Sequence, residues 1–534
     1  MRRLAMEGAP LLPGAGGGRG GGGRFGAGRE RRRGGEMPRA AALAGSAPLL
    51  FGYSMGYTSP AEASLRAAFP SLDWSLFAAL VLGGACAGSL VAPACSDALG
   101  RRRALQLCGA APAALGWAAI ASAGAGLGGA AVAEGAQRRI RWLCLGRFAS
   151  GLGIGSVSAV CPLYLAETAP THLRGLYGAT FQLSITLGIA LAYGAGLQGR
   201  QGSPLWLGMA WGGVALALCL ALAMELVPES PRWLLYARGG GSRKAYEALE
   251  RLRGADAAVG EELATMEQQR DVSREAEAAP SPFEEGGASN GGSQVSSEAA
   301  VTRVRRLGLA EVLKDRSLLL PVGIGVGMQV FQQISGINSF IMFTGGVVGS
   351  PALGALVMGA QVLATTVSFA VVDQAGRRAM LVASSLVMAA SSAALGLLFH
   401  LHVPPGGGGG GGQAELPPGV RHAAAAAIVV YIVGFSLGLG PIPWTLNGEL
   451  FPGRIRAFAS SLATLTNWLC ACLSVWSFDR LQSWSPGGTF FLYSGACALC
   501  SAFVVFCVPE TRGKSLEEIE QVFRRRAGCC GKNK

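Results

Sequence analysis

The sequence predicts an all-α membrane protein: twelve transmembrane helices arranged as two pseudo-symmetric six-helix bundles. Three observations carry that expectation. Half of the 534 residues are hydrophobic and only 14% are charged, against about a quarter in a typical soluble protein, and mean hydropathy is +0.38. The apolar residues gather in blocks of about 20, enough to cross the hydrocarbon of a bilayer. Finally, charged phrases recur. Pro228-Glu229-Ser230-Pro231-Arg232 returns as Pro509-Glu510-Thr511-Arg512-Gly513, and Asp97 before Gly100-Arg101-Arg102 returns as Asp373 before Gly376-Arg377-Arg378. Glu167, seven residues before Arg174, returns as Glu449, seven before Arg456. Glu229 and Glu510 are 281 residues apart, Asp97 and Asp373 are 276, and Glu167 and Glu449 are 282. One half is therefore a copy of the other, an organisation that places a site between two membrane halves.

Along the chain, residues 1–39 are Gly- and Arg-rich, a composition expected to stay disordered on the cytoplasmic side. In Glu7-Gly8-Ala9-Pro10-Leu11-Leu12 an acidic residue stands four before a Leu-Leu pair. Glu7, Leu11 and Leu12 are thus candidate residues of a sorting signal for endosomes and lysosomes, with a clathrin adaptor as the expected partner. Six apolar spans at 40–60, 75–96, 104–126, 142–165, 176–197 and 205–226 form a first bundle over 40–226. Residues 227–316 are a polar linker in which Ala245, Leu249 and Leu252 recur at helical spacing, followed at 276–300 by a Ser-, Gly- and Glu-rich stretch expected to be flexible. Spans at 317–345, 351–373, 379–400, 422–446, 456–476 and 486–508 make the second bundle over 317–508, with Gly406–Gly412 in an outer loop and a tail over 509–534.

The formal charge of +13 follows from membrane topology, because Lys and Arg accumulate in cytoplasmic loops. They fill the N-terminal tail, the 97–103 and 373–378 loops, the linker and the C-terminal tail, so both termini are expected to be cytoplasmic. Arg138, Arg139 and Arg141 on the opposite side go against the rule. No aromatic interleaving supports nucleic-acid binding. Thirteen cysteines, most inside spans, show no disulfide framework or metal spacing, and no cofactor is expected. Cys529 and Cys530 differ, being adjacent, beyond the last span and beside basic residues, where S-palmitoylation and plain thiols are both open. No Asn-x-Ser/Thr acceptor occurs.

The repeated charges fall at the cytoplasmic ends of spans. Asp97, Arg101, Arg147, Glu167, Arg174, Glu229, Arg232, Asp373, Arg377, Glu449, Arg456 and Glu510 are the candidate gating residues. Pairs of opposite sign would hold the cytoplasmic face shut in one state and break in another. Each exposed pair contributes only about 0–1 kcal/mol, but a network suffices to bias a two-state equilibrium. Acidic residues add little to topology, so their recurrence at matched positions favours this role over simple flanking charge.

The motifs are specific enough to suggest kinship. Gly146-Arg147, Gly151, Gly153, Pro162, Tyr164, Glu167 and Arg174-Gly175, then Pro228–Arg232, Gln332-Gln333-Ile334-Ser335-Gly336-Ile337-Asn338, Gly440-Pro441-Ile442-Pro443-Trp444 and Pro509–Lys514, resemble the sugar-porter signature of the major facilitator superfamily. The likeness runs from about residue 45 to 520, and the chain is similar to facilitative hexose transporters of the intracellular, dileucine-bearing branch. That resemblance implies the major facilitator fold, a sugar substrate, no enzymatic activity, and sugar contacts at Gln182, Gln332, Gln333, Asn338, Gln361, Trp444 and Asn467. Chemistry agrees. A sugar is an uncharged ring of hydroxyls with apolar faces, which calls for neutral donor–acceptor side chains and a flat apolar wall, and amides inside a span are costly unless partnered or functional. Gln182 and Asn467 hold equivalent places 285 residues apart. The glycines of span seven and Pro441 and Pro443 of span ten read as breaks near the site.

Departures from the family pattern bear on the substrate. Ser436 stands where many members have Glu, Ala471 where they have Asn, and Ile341 and Met342 follow Asn338 in place of aromatic residues. Proton-coupled members carry Asp at the place of Ser54. Since a proton carrier must titrate, uniport of a hexose such as glucose or fructose is expected. A proton symporter, a carrier of a disaccharide such as trehalose, and a membrane sugar sensor are the alternatives. The expected location is the plasma membrane or endosomal–lysosomal membranes.

Overall fold

Apolar blocks of this length have no water to satisfy their backbone, so they must close their hydrogen bonds within themselves as helices. The computed structural model describes residues 35–124, 133–170, 173–199, 204–236, 241–254, 258–278, 316–348, 350–403, 417–451 and 455–512, with 518, 519, 521–523 and 525 beyond them. The sorting residues Glu7, Leu11 and Leu12, the glycine run 406–412 and the tail thiols Cys529 and Cys530 lie outside the described residues, as do the side chains of Arg174, Asp373 and Arg456.

Helices occupy all twelve expected segments, and among the described residues eleven helical stretches are long and apolar enough to cross a membrane. Span one is the remainder, because it is divided into Met37–Ala44, Ser46–Gly56 and Thr58–Ala68. Pro48 and Pro60 each withdraw an N–H from its ladder, and the Ala44 carbonyl, which a residue at 48 would otherwise serve, accepts the Cys161 thiol at 3.6 Å. Gly45 and Tyr57, at the divisions, keep helical angles, so the segment continues as one column. Spans two to six are Trp74–Leu99, Arg101–Ser122, Ala133–Thr168, Arg174–Gly196 and Leu205–Leu226. Spans eight, nine, eleven and twelve are Pro351–Ala375, Arg377–His402, Arg456–Trp484 and Pro486–Cys507. Spans seven and ten are broken, as the sequence implied: Arg316–Ile334 and Ile337–Val348, then Pro418–Leu437 and Ile442–Leu450.

Small residues set the spacing of these helices. Spans two and four meet glycine against glycine: a Cβ on Gly84 would lie 2.1 Å from the Phe148 carbonyl oxygen, one on Gly88 2.2 Å from that of Leu152, and one on Gly151 2.2 Å from that of Val81. Without hydrophobic drive between helices in lipid, such close backbone approach supplies the packing. Three short linker helices, Pro231–Tyr236, Ser242–Arg253 and Val259–Ala278, build a second small core from Leu235, Ala245, Leu249, Val259, Leu263 and Met266. They belong to the first half. Leu252 enters the main core, Arg253 Nη1 donates to the Thr168 carbonyl at the end of span four at 2.7 Å, and Arg251 Nη2 bonds Glu36 Oε2 at 3.1 Å.

The halves touch along spans two and eleven, five and eight, and one and seven. Hydrogen bonds that join them include Ser75 Oγ to Asp479 Oδ2 at 2.5 Å, Tyr193 Oη to the Ile341 carbonyl at 2.6 Å, and Trp468 Nε1 to Ser158 Oγ at 3.2 Å. These lie mid-span or at the end opposite the charged motifs.

Gly88→Val should therefore force spans two and four apart, at a cost of about 1–3 kcal/mol from overpacking, and shift the detergent-solubilised protein toward aggregate in fluorescence-detected gel filtration. Gly83→Val, whose Cβ meets nothing within 4 Å, should leave the monodisperse peak unchanged.

Candidate functional site

The site is built on the two broken spans. In span seven the chain turns at Ser335-Gly336, where Gly336 takes φ +91° with the Tyr493 ring 2.6 Å from the place of a Cβ, so only glycine fits. Tyr431 Oη donates to the Ser335 carbonyl at 2.8 Å and its ring stacks on Phe340 across the turn. In span ten Pro441 and Pro443 have no N–H to offer the carbonyls of Leu437 and Leu439, four residues earlier. Side chains supply what is missing. Gln332 Nε2 donates to the Leu439 carbonyl at 2.8 Å and to that of Gly440 at 2.9 Å, while Ser368 Oγ donates to the Leu437 carbonyl at 3.3 Å. Ser384 Oγ joins the two sides of the break, donating to the Gly434 carbonyl at 2.7 Å and accepting from Leu439 N at 3.0 Å.

Four of the amides expected at the site, Gln332, Gln333, Asn338 and Asn467, form one array; among the described residues no hydrogen bond joins Gln182 or Gln361 to it. Asn467 Nδ2 donates to Gln329 Oε1 at 2.7 Å and to Gln332 Oε1 at 2.8 Å. Gln333 Nε2 approaches Gln332 Oε1 at 3.5 Å, and Asn338 Nδ2 donates to Gln333 Oε1 at 2.5 Å across the span-seven turn. Gln332 thus spends both its hydrogens on backbone and serves as a brace, a use that spacing alone did not reveal. Gln333 and Asn338 keep 6% and 8% exposure, and Gln182 and Trp444 are half-buried. Gln329 Nε2 and Gln361 Oε1 are among the buried polar atoms without a partner. Ser436, at the place of an acid in the family pattern, is likewise buried with its hydroxyl unpartnered. Gln329 enters the array although it was not among the expected contact residues; its position four before Gln333 was the available signal.

The charged residues resolve into duplicated caps. Glu229 accepts from the backbone N–H of Arg101 at 3.0 Å, of Arg102 at 3.2 Å and of Ser230 at 2.9 Å. Glu510 does the same with Arg377 N and Arg378 N at 3.1 Å and Arg512 N at 3.0 Å. Each carboxylate covers the open N-terminus of span three or nine, where N–H groups lack helical partners and the dipole favours an anion. Both carboxylates, expected from the sequence to be gating charges, are engaged here by main-chain N–H groups. Gly100 and Gly376, at φ +94° and +88°, make room for the carboxylates. Burial pushes the Glu229 carboxyl up, and its N–H donors do not offset this. Burial acts the same way on Glu510, but the N–H groups of Arg512, Arg378, Arg377 and Thr511 outweigh it and hold the carboxyl below its usual range.

Ion pairs cross helices within each half. Arg101 grips Glu167 in a fork, Nε to Oε2 at 2.9 Å and Nη2 to Oε1 at 3.0 Å, and reaches Asp97 Oδ1 at 3.2 Å. Its copy is Arg377 Nε with Glu449 Oε1 at 3.5 Å. Beside the first pair a cavity of about 460 Å³ is lined by Asp97, Arg101, Glu167, Arg232, Trp233, Tyr236 and Met266. Arg147 stands apart from this network. It is fully buried, with its guanidinium carbon 5.4 Å from the ring centres of Tyr57 and Phe77 and 6.0 Å from that of Trp117, and Nη2 donates to Thr58 Oγ1 at 2.6 Å. Among the described residues it has no carboxylate partner, and Ser54 is buried nearby in sequence to Tyr57 with its hydroxyl unpaired.

Two related six-helix halves, broken spans at their interface and an uncharged polar array in the membrane interior define a solute carrier of the major facilitator fold. The chain belongs to the sugar (and other) transporter family, whose model matches residues 41–523. It is 33% identical over 531 residues to solute carrier family 2, facilitated glucose transporter member 8 of Bos taurus, covering 93% of this chain and 97% of that protein. It is 32% identical over 485 residues to sugar transporter ERD6-like 6 of Arabidopsis thaliana, covering 89% and 88%. To facilitated trehalose transporter Tret1 of Apis mellifera ligustica it is 30% identical over 502 residues, covering 91% and 88%. Among solved structures, the inward-open conformation of the E. coli xylose transporter XylE superposes with a TM-score of 0.71 at 23% identity, over 91% of this chain and 99% of that one. The chain is thus a multi-pass membrane protein and not an enzyme.

Gln332→Ala should lower the melting temperature of the purified protein more than Gln333→Ala, because it strips the Leu439 carbonyl of its donor, a loss of about 1–3 kcal/mol for a buried group. Equal shifts would remove the brace. Glu510→Gln should destabilise by about 1 kcal/mol, the scale of a helix cap. Because the folded carboxyl of Glu510 is held low, its contribution is present above the unfolded pKa and is lost as pH falls through the folded one. The wild-type and Glu510→Gln melting curves should therefore converge in acid.

Proposed function

We propose that this chain carries a hexose such as glucose or fructose down its gradient by alternating access. The observation that carries the reading is the amide array at the broken spans, with Gln333 and Asn338 held across the Gly336 turn and Trp444 at the adjacent break as an apolar wall. Gln182 from the first half, and the unpartnered Gln361 Oε1 and Gln329 Nε2, would complete the hydroxyl partners. Asn467 and Gln332 would act mainly by holding span ten in place.

Uniport is supported by Ser54 and Arg147. Neither has a carboxylate beside it among the described residues, so the site lacks the titrating acid that proton coupling requires. We read the charged end as cytoplasmic, with both termini on that side, and this conformation as open toward it, since the hydrogen bonds named above between halves lie at mid-span or the far end. In this state Arg101–Glu167 and Arg377–Glu449 brace single halves, and the same charges would meet across the cleft when that end closes. A location in endosomal–lysosomal or plasma membranes, set by an adaptor reading Glu7, Leu11 and Leu12, completes the proposal.

A disaccharide is the second reading. Ser436, Ala471, Ile341 and Met342 reduce bulk or polarity where the family pattern has Glu, Asn and aromatic residues, and a trehalose transporter is among the relatives. The test is uptake of radiolabelled glucose, fructose and trehalose into cells expressing the Leu11→Ala/Leu12→Ala variant at their surface, followed by proteoliposomes with and without a pH gradient. Hexose uptake that equilibrates and ignores the gradient is expected. Gln333→Ala and Trp444→Ala should each lower uptake at least about tenfold, equivalent to 1.4 kcal/mol, with melting temperature preserved. Accumulation above equilibrium under the pH gradient would overturn uniport, and wild-type uptake by both variants would overturn the site.

A further inference from the structure

Arg147 of span four carries a full charge into the interior of the first half, where no group of opposite sign answers it. Its side chain is 0% exposed, and a guanidinium stays protonated in proteins. Among the described residues no carboxylate pairs with it. The phenols of the same aromatic cluster are not anions either. Tyr53 Oη donates to the Met209 carbonyl at 2.7 Å, and Tyr57 Oη donates to that of Trp206 at 3.2 Å. The rings of Tyr57, Phe77 and Trp117 surround the guanidinium, but burying an uncompensated charge costs far more than ring faces return.

The charge is also ringed by unused donors. A guanidinium offers five N–H bonds. Nη2 gives one to Thr58 Oγ1 at 2.6 Å, and Nε and Nη1 have no acceptor. Whichever Nη2 hydrogen goes to Thr58, the other stands beside a free N–H of Nε or Nη1, so a two-pronged fork stays open. Ser54 lies four residues before Thr58 in a stretch of helical angles, on the same face of span one. It is 0% exposed, and its hydroxyl has no partner. Trp117 adds Nε1, a donor only, which is buried without an acceptor. Water can accept from such groups but brings no charge. A ligand that only accepts and carries one negative charge answers both deficits. Ring centres 5.4 Å from the guanidinium carbon favour a compact ion over an organic acid. Phe77 stands three residues inside the start of span two at Trp74, far from Asp97, so the box lies toward the face opposite the charged motifs, a short way from solution.

We propose that Arg147 holds a small monovalent anion of the halide class, chloride in practice, as a fixed counter-ion, with Ser54 as a further donor. The ion takes the place that a carboxylate at position 54 would fill. This site is separate from the amide array, so it stands whatever sugar is carried.

The test is binding of radiolabelled chloride to the purified full-length protein in sugar-free detergent buffer, paired with melting curves in sodium chloride and in sodium gluconate of equal ionic strength. Saturable binding of one chloride per chain is expected, displaced by bromide and not by gluconate, with a higher melting temperature in chloride. Ser54→Asp supplies the negative charge from the chain itself, so it should abolish chloride binding and melt at the same temperature in both salts. Arg147→Gln removes the charge that calls for the ion and should weaken chloride at least about tenfold, equivalent to 1.4 kcal/mol. If that variant fails to fold, the Ser54→Asp comparison decides alone. Wild-type protein that binds no chloride saturably would overturn the proposal. So would wild-type affinity in the Ser54→Asp variant, which would put the ion elsewhere.

Discussion

A helix that breaks inside a membrane strands its own carbonyls, and the architecture of this protein turns on how two of them are answered. Pro441 and Pro443 leave Leu437 and Leu439 without backbone donors. The donors come from elsewhere, Ser368 on span eight and Gln332 on span seven. Gln332 in turn accepts from Asn467 on span eleven. Spans seven, ten and eleven are thereby tied at one level of the bilayer by a single amide. The first half answers a similar problem more lightly, with the Cys161 thiol on the Ala44 carbonyl above Pro48. A thiol is a weak donor, which fits a first span whose helix runs on through its proline, whereas span ten leaves helical angles at Gly438 and resumes as helix at Ile442.

The duplicated charges obey a related rule at the membrane boundary. Spans three and nine begin with N–H groups that no preceding turn can use, and Glu229 and Glu510 satisfy them from the ends of spans six and twelve. This ties span three to span six, and span nine to span twelve. Arg101 then links the same corner to Glu167 on span four, and Arg377 links its copy to Glu449 at the end of span ten. The recurrence of Gly-Arg-Arg with Pro-Glu therefore has a mechanical meaning: glycine admits the carboxylate, the carboxylate caps the helix, and the first arginine reaches a neighbour.

Much of this was legible in the sequence. Charge-free blocks revealed the helices because lipid leaves no other solution, and Gly336, Pro441 and Pro443 revealed the breaks because their backbone chemistry allows little else. What stayed hidden depends on which atom of a side chain meets which partner. Glu229 reads from the sequence as a gating charge, and what the sequence does not reveal is that the unpaired N–H groups of a helix 128 residues away hold it. Gln332 and Gln333 are indistinguishable by type and neighbouring in sequence, but about 100° of helical rotation aims one at a broken backbone and leaves the other partly free. Arg147 reads as a gating charge, and its aromatic surroundings, with guanidinium over the rings of Tyr57, Phe77 and Trp117, were not visible in the sequence.

That division of labour bears on how binding and movement would be linked. The bond from Asn338 Nδ2 to Gln333 Oε1 closes over the Gly336 turn, so it joins the two segments of span seven as well as two members of the proposed site. A sugar hydroxyl that donates to Gln333 Oε1 or accepts from Asn338 Nδ2 competes with this bond directly. Occupying the site would then loosen one constraint on the hinge while Gln332, committed to span ten, holds the other side fixed. A ligand shifts a conformational equilibrium only by its differential affinity for the two states, and a bond that spans the hinge and is exchanged on binding is a local source of that difference.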